Sequence, residues 1–275
     1  VTFTYPGMLS DRAMFMSSTW CIALVVILIY ENLFDKKNEI TKNSIWILFC
    51  ILIFSYGTWS FIRNTQWKTQ LSIMEADIQH LQNSSFANFL CGWTLQNSYN
   101  ASGQIGEKNN AEFYLHKAIE INKNMAEPNY RLGLIKKYND NDLDSAEYYF
   151  RRFVEQHGNY TNGYREFALT CFSKRLYSDA LPYFKKVYKI QPTDTINLFY
   201  YVQAEFLVNG ADSALSLNQK LMEYASKTQY PYINNATIFK LQNRNKEALV
   251  NLENVVKYGG SSPQILKDID LLRGK

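Results

Sequence analysis

The stretch Asp142-Leu143-Asp144-Ser145-Ala146-Glu147-Tyr148-Tyr149-Phe150-Arg151-Arg152-Phe153-Val154 sets Ala146, Phe150 and Phe153 at i, i+4 and i+7. That is the apolar stripe of an amphipathic helix. The stripe returns along the chain. Ala111, Ala146, Ala180, Ala214 and Ala248 stand 35, 34, 34 and 34 residues apart. Four residues after each alanine come Leu115, Phe150, Phe184, Asn218 and Leu252, and three further on come Ala118, Phe153, Val187, Leu221 and Val255. Only Asn218 breaks the apolar pattern.

A small residue recurring every 34 positions marks tetratricopeptide repeats, whose unit is a pair of antiparallel helices. A true repeat must keep its register at every packing position, and a further column does so. Ala168, Val202 and Ala236 lie twelve residues before their alanines, on the first helix of each pair. Gly133 lies thirteen before Ala146, which implies one extra residue in the Asn139-Asp140-Asn141-Asp142 turn. Small side chains belong where two helix backbones approach closely. Gln191-Pro192 and Gly259-Gly260 fall at one phase of the repeat and stop the second helix there.

The remaining repeat boundaries follow from the same register. The first pair opens on a helix over 85–98 that presents Cys91-Gly92 at the close-packing place, and a polar insertion over 99–110, with Gly103 and Gly106, lengthens its turn. First helices of the next four pairs start near Ala126, Thr161, Thr193 and Gln229. A short capping helix with Pro263 in its first turn covers 261–275.

Composition excludes several classes of function. The chain has 29 basic and 25 acidic residues in 275, a net charge of +4, and no Lys/Arg-rich run, so no nucleic-acid partner is expected. The four cysteines, Cys21, Cys50, Cys91 and Cys171, form no CxxC pair and read as buried packing. His80, His116 and His157 stand far apart, outside any metal-binding spacing. No Gly-rich phosphate loop or GxSxG elbow is present, so no cofactor, metal or catalytic residue is expected.

The mean hydropathy of −0.29 averages over two stretches unlike the rest. No charged residue occurs over 13–30 or over 43–62. Each is close to the roughly 20 residues that cross a hydrocarbon core, and a short polar loop joins them. The fold class predicted is all-α: two transmembrane helices followed by a tetratricopeptide α-solenoid of about five helix pairs. The domains would be a membrane hairpin over 1–62, a connecting helix over 63–84, repeats over 85–260 and the cap over 261–275. The first residue is Val and no signal peptide precedes the hairpin, which suggests a fragment of a longer protein.

Two short motifs carry a resemblance. Ser10-Asp11-Arg12-Ala13-Met14-Phe15-Met16-Ser17-Ser18 resembles the [Ala/Gly]-[Asp/Glu]-Arg-x-[Leu/Met]-[Tyr/Phe]-x-Pro-Ser motif of the transmembrane and tetratricopeptide-repeat O-mannosyltransferase family, with Ser17 in place of Pro. Arg63-Asn64-Thr65-Gln66-Trp67, with Asp77 and Ser84-Ser85 downstream, is similar to the junction at which that family enters its repeats. The resemblance implies the C-terminal part of a GT-C type glycosyltransferase that uses a polyprenyl-phosphate sugar donor. It implies an integral membrane protein with its repeats facing the periplasm, or the ER lumen in a eukaryote. The acidic residues that do chemistry in such enzymes lie in loops absent from this chain, so the fragment itself is expected to be non-catalytic. Arg12 is the matching position for contact with a lipid phosphate.

First helices of stacked pairs line a concave surface. In the register above, Tyr130, Asn162, Arg165, Phe199, Gln203 and Phe206 point into it. Such a groove of aromatic and amide groups suits an extended peptide or a glycan-bearing substrate. The expected partners are a protein or peptide in the groove, membrane lipid, and a sugar donor held by the missing upstream part. Two other readings stay open: a membrane-anchored scaffold for envelope protein assembly, and the repeat tail of an O-antigen-ligase-like protein.

Overall fold

In a computed structural model, which describes residues 47, 50–51, 53–62, 68–157 and 160–274, the ordered elements are helical. The chain divides into two compact units, Val1–Thr69 and Gln70–Lys275. In the first, residues 53–62 are helical, and the Thr58 hydroxyl donates to the Phe54 carbonyl at 2.7 Å.

The second unit runs α1 (Gln70–Ile78), α2 (Ser85–Ser102), α3 (Ile105–Ile121), α4 (Glu127–Leu134, extended by a π-helical turn over Ile135–Asn139) and α5 (Leu143–Gln156). It continues through α6 (Thr161–Ser173), α7 (Tyr177–Ile190), α8 (Thr195–Asn209), α9 (Ala211–Ala225), α10 (Tyr230–Leu241), α11 (Asn245–Lys257) and α12 (Pro263–Leu272). Helices α2 to α11 pack as five consecutive antiparallel pairs, with α1 against α2 and α12 against α11.

Short polar side chains start several of these helices by accepting the free amides of the first turn. Ser84, Asp142, Asp194 and Ser262 accept from the N–H groups of Ala87, Ser145, Asn197 and Ile265 at 3.0 to 3.2 Å. Between first and second helices the chain reverses through a residue of positive φ, Gly103, Asn141, Arg175, Gly210 or Asn243. At Arg175 (φ 63°) the Leu176 N–H reaches back to the Cys171 carbonyl at 2.9 Å, closing the helix end. A side chain there costs about 1 kcal/mol that glycine avoids. Arg175→Gly is expected to raise the melting temperature by about 2–4 °C, read by thermal circular dichroism.

The repeat columns are the core. All five alanines of the 34-residue series are fully buried, as are Leu115, Phe150, Phe184 and Val187. The main cluster runs from Ala146 and Phe150 through Phe153, Phe167 and Phe184 to Leu221, so the central pairs share one continuous interior. Backbone approach is closest where glycine stands: a Cβ built on Gly133 would lie 2.6 Å from the Phe150 ring.

Several expectations need correction. The first expected span, 13–30, lies outside the described residues. Among the described residues no helix is long and apolar enough to cross a membrane. A crossing takes about 20 mostly apolar residues. The longest helix here, α2, has 18 and sets Asn88, Thr94, Gln96 and Asn97 along its length. The two expected transmembrane helices are thus not found among the described residues, whose fold class stands as an all-α tetratricopeptide-like stack. The integral membrane placement with repeats facing the periplasm or ER lumen is corrected on the same finding.

The insertion over 99–110 is mostly helix. α2 runs on to Ser102 because no breaker precedes Gly103 (φ 73°), and α3 begins at once at Ile105. Ser98 and Ser102 donate to the two oxygens of Glu107 at 2.8 and 2.5 Å, which ties the extended ends together. The extra residue of the second repeat is absorbed before the 139–142 turn, as the π-helical turn, where the Asp140 N–H donates to the Ile135 carbonyl at 3.1 Å. Cys91 and Cys171 are buried, and burial lifts both thiols to about 12, but Cys50 is exposed and Cys21 lies outside the described residues.

Asp140 closes an ion cluster between the first two repeats. Lys108 and Lys136 donate to it at 2.5 and 2.8 Å, and Lys136 also donates to Glu112 at 2.9 Å. Burial pushes the Asp140 carboxyl up, but the two lysine hydrogen bonds outweigh it and hold the group below its usual value. A depressed carboxylate stabilises the fold above its unfolded pKa, near 4, and loses that contribution as pH falls through the folded value. Asp140→Asn is expected to cost about 0.5–1 kcal/mol at neutral pH, after solvent screening, and nothing once both forms are protonated near pH 2. Urea titrations across this range measure it.

Candidate functional site

The first helices α2, α4, α6, α8 and α10 make one layer and the second helices another. α2 packs on α4, α6 on α8 and α8 on α10 directly, and among the described residues no successive pair of second helices packs to that extent. A stack whose first helices close up while its second helices spread is curved, with the first helices inside.

Each inner interface carries a polar or cation–π cross-link. Between α2 and α4 the Arg131 guanidinium lies 4.5 Å from the Trp93 ring centre. Between α4 and α6, Lys137 and the Tyr138 hydroxyl both donate to Glu166 at 2.8 Å. Arg165 donates to Asp194, the N-cap of α8, at 2.6 Å. Gln203 on α8 donates to Asn234 on α10 at 3.0 Å, and Lys240 donates to Asp268 on α12 at 2.8 Å. The π-helical turn matters to this series: it carries Lys137 and Tyr138, so the extra residue sits where two side chains of α4 meet one carboxylate of α6.

The residues expected to face a partner have particular neighbours. Tyr130 packs among Phe150, Phe153 and Tyr160, with ring centres 5.1 to 6.0 Å away. Burial, then the nearby Glu166 carboxylate, push its phenol up to about 12, so it stays neutral. Asn162 is exposed and accepts from Arg165 at 2.7 Å. Phe199 packs against Tyr200 and Tyr230, and Phe206 against the cluster of Val202, Ala214 and Ile238. Arg165 and Gln203 are thus occupied as cross-links, and Arg12 lies outside the described residues.

Sequence reasoning missed the exposed apolar groups of the same layer. Ile196 and Leu207 on α8 are 51% and 49% exposed, and Leu241, at the end of α10, is 64% exposed. The period held the signal: Ile196 follows Asn162 by 34 residues, and Leu241 follows Leu207 by 34. Trp93 and Arg131 carry no such signal, because their pairing depends on the spacing of α2 and α4. Among the described residues no group of His, Cys, Asp or Glu is placed to hold a metal ion.

Comparisons with known proteins agree on the architecture. The chain is similar in structure to YrrB, described as a TPR protein with an unusual peptide-binding site, at 15% identity and a TM-score of 0.62 over 70% of this chain and 96% of that one. It is similar to MamA at 12% identity and a TM-score of 0.52, over 59% of this chain and 93% of the other. It is similar to pilF of Pseudomonas aeruginosa at 13% identity and a TM-score of 0.53, over 69% and 85%. At such identities the likeness establishes the fold, a tetratricopeptide-repeat solenoid. No family model and no curated protein sequence matches the chain. None of these comparisons supports the O-mannosyltransferase resemblance, a sugar donor or a lipid partner, and most of the residues that carried the resemblance, 10–18 and 63–67, lie outside the described ones.

Proposed function

We propose that this chain is a protein-binding module whose repeats, over 85–260, hold an extended peptide segment on the inner face, with 261–275 closing the stack and 63–84 leading into it. The observation that carries the reading is the row of cross-links joining every inner helix to the next, from Trp93–Arg131 to Lys240–Asp268. A face held at fixed spacing before binding loses little freedom when a ligand arrives. The likeness to a repeat protein described as carrying a peptide-binding site is in keeping with this. Tyr130, Arg165, Phe199, Gln203 and Phe206 have a supporting part: they build the floor and the cross-links, while Tyr138, Asn162, Ile196 and Leu207 supply exposed contact surface.

The test is a selection of binders from a random peptide library, followed by hydrogen-exchange mapping on the full chain. Protection is expected on the inner helices α4, α6, α8 and α10. Tyr138→Ala and Asn162→Ala should each weaken binding by about fivefold, the size of a modest interface contact. Tyr148→Ala and Val250→Ala, at exposed positions of outer helices, should change nothing. Protection confined to α5, α7 and α9 would remove the groove from consideration.

A further inference from the structure

Three of the five inner helices are nearly free of charge. α2 carries no charged residue, α8 only Glu205 and α10 only Lys240, whereas each outer helix carries three to five. Neither exception stands alone: Asn209 donates to Glu205 and Lys240 donates to Asp268, both at 2.8 Å. Over the same two helices Ile196, Leu207 and Leu241 are about half or more exposed. Gln203 spends its Nε2 on Asn234 at 3.0 Å, which leaves the amide oxygen as its acceptor group.

We infer that the inner face of α8 and α10 takes an extended peptide segment free of charged side chains and rich in aliphatic, aromatic and amide residues. The inference rests on the groove reading above and adds the chemistry of the occupant. A lysine or glutamate pressed onto this face would give up hydration, and Lys240, the one cation of these two helices, is already paired with Asp268. An aliphatic side chain there covers Ile196 and Leu207 at no such cost, and a peptide N–H has an acceptor in Gln203 Oε1. Inner helices about 10 Å apart match roughly three residues of extended chain at ~3.3 Å each, so a ten-residue segment crosses about three repeats.

The probes are ten-residue peptides built from Leu, Val, Phe, Asn, Gln and Ser, and the same peptides with two central Lys or two central Glu. They are titrated onto the full chain by fluorescence anisotropy at about 50 and about 500 mM NaCl. Neutral peptides are expected to bind with less than about a twofold change between the two salts, and two charges of either sign to weaken them at least about tenfold. Leu207→Lys, with its melting curve unchanged, should weaken the neutral peptides by about tenfold. Tighter, salt-sensitive binding of charged peptides that Tyr138→Ala weakens would overturn the inference and leave the groove reading standing. A concentration-dependent dimer that Leu207→Lys dissolves would assign the face to a second copy and also overturn it. No binding by any probe, or binding that no inner-face substitution weakens, would remove both.

Discussion

Phe150→Ala is expected to cost about 3–5 kcal/mol of unfolding free energy, because the ring is fully buried at the centre of the repeat core. The diagnostic part is its coupling to Gly133. A Cβ on Gly133 would meet three atoms of the Phe150 ring at 2.6, 2.7 and 2.9 Å, and Tyr130 backs the ring with centres 6.0 Å apart. Glycine to alanine inside a helix ordinarily gains about 1 kcal/mol. Here the ring has nowhere to retreat, so Gly133→Ala is expected to lose about 1–3 kcal/mol by overpacking. In the Phe150→Ala background the obstruction is gone and the sign reverses: Gly133→Ala then stabilises. Urea denaturation of the four proteins gives the cycle, and a stabilising Gly133→Ala in the parent would show that the first and second helices do not meet there. Because each repeat touches only its neighbours, damage in the second repeat should also split the unfolding into two transitions.

This interface shows why so much of the fold was legible. Gly133, Ala168 and Ala236 are small because a backbone must come close, and Ala146 and Phe150 are apolar because both are sealed from water. Those demands recur in every repeat, so the period of 34 exposes them together. What the period could not place was anything used once. The extra residue of the second repeat can be absorbed in a turn or inside a helix at similar cost, and only the contacts of Lys137 and Tyr138 with Glu166 accompany the second solution. The uncharged run over 43–62 has the composition of a membrane span, yet among the described residues no helix is long and apolar enough to cross a membrane.

For the candidate residues the register names a helix and a face, and the structure adds the contacts. Arg165 and Gln203 were placed in the inner layer from the register, yet both are engaged across inter-repeat interfaces. A repeat register states which helix face a residue occupies. It is silent about a partner 29 or 31 residues away, which is the separation of Arg165 from Asp194 and of Gln203 from Asn234. Ile196 and Leu207, by contrast, stay about half exposed.

Asn218 breaks the apolar stripe, and restoring the stripe is expected to harm the protein. Asn218 is 1% exposed and donates to the Pro231 carbonyl at 2.8 Å and to Asn235 at 2.7 Å, while its oxygen accepts from Asn234 at 3.2 Å. Asn234, also 1% exposed, accepts in turn from Gln203 at 3.0 Å and donates to the Phe199 carbonyl at 3.3 Å. The chain of amides thus ties α8, α9 and α10 together with every buried member paired. Asn218→Leu would gain about 1.5–3 kcal/mol of apolar burial. It would leave one of the two Asn234 N–H groups without its buried acceptor, at about 1–3 kcal/mol, take the donor from the partly buried Asn235 oxygen, and crowd a cavity shaped for a smaller group. The net expectation is a loss of about 1–3 kcal/mol in urea denaturation, although leucine matches Leu115 and Leu252 at the same column. Asn234→Leu should lose as much by stranding the Asn218 oxygen. Replacing both removes partners on both sides, so the double variant should lose clearly less than the sum of the single losses. Additive losses would mean that the two amides act separately, and a stabilising Asn218→Leu would mean that the repeat pattern outweighs the buried network.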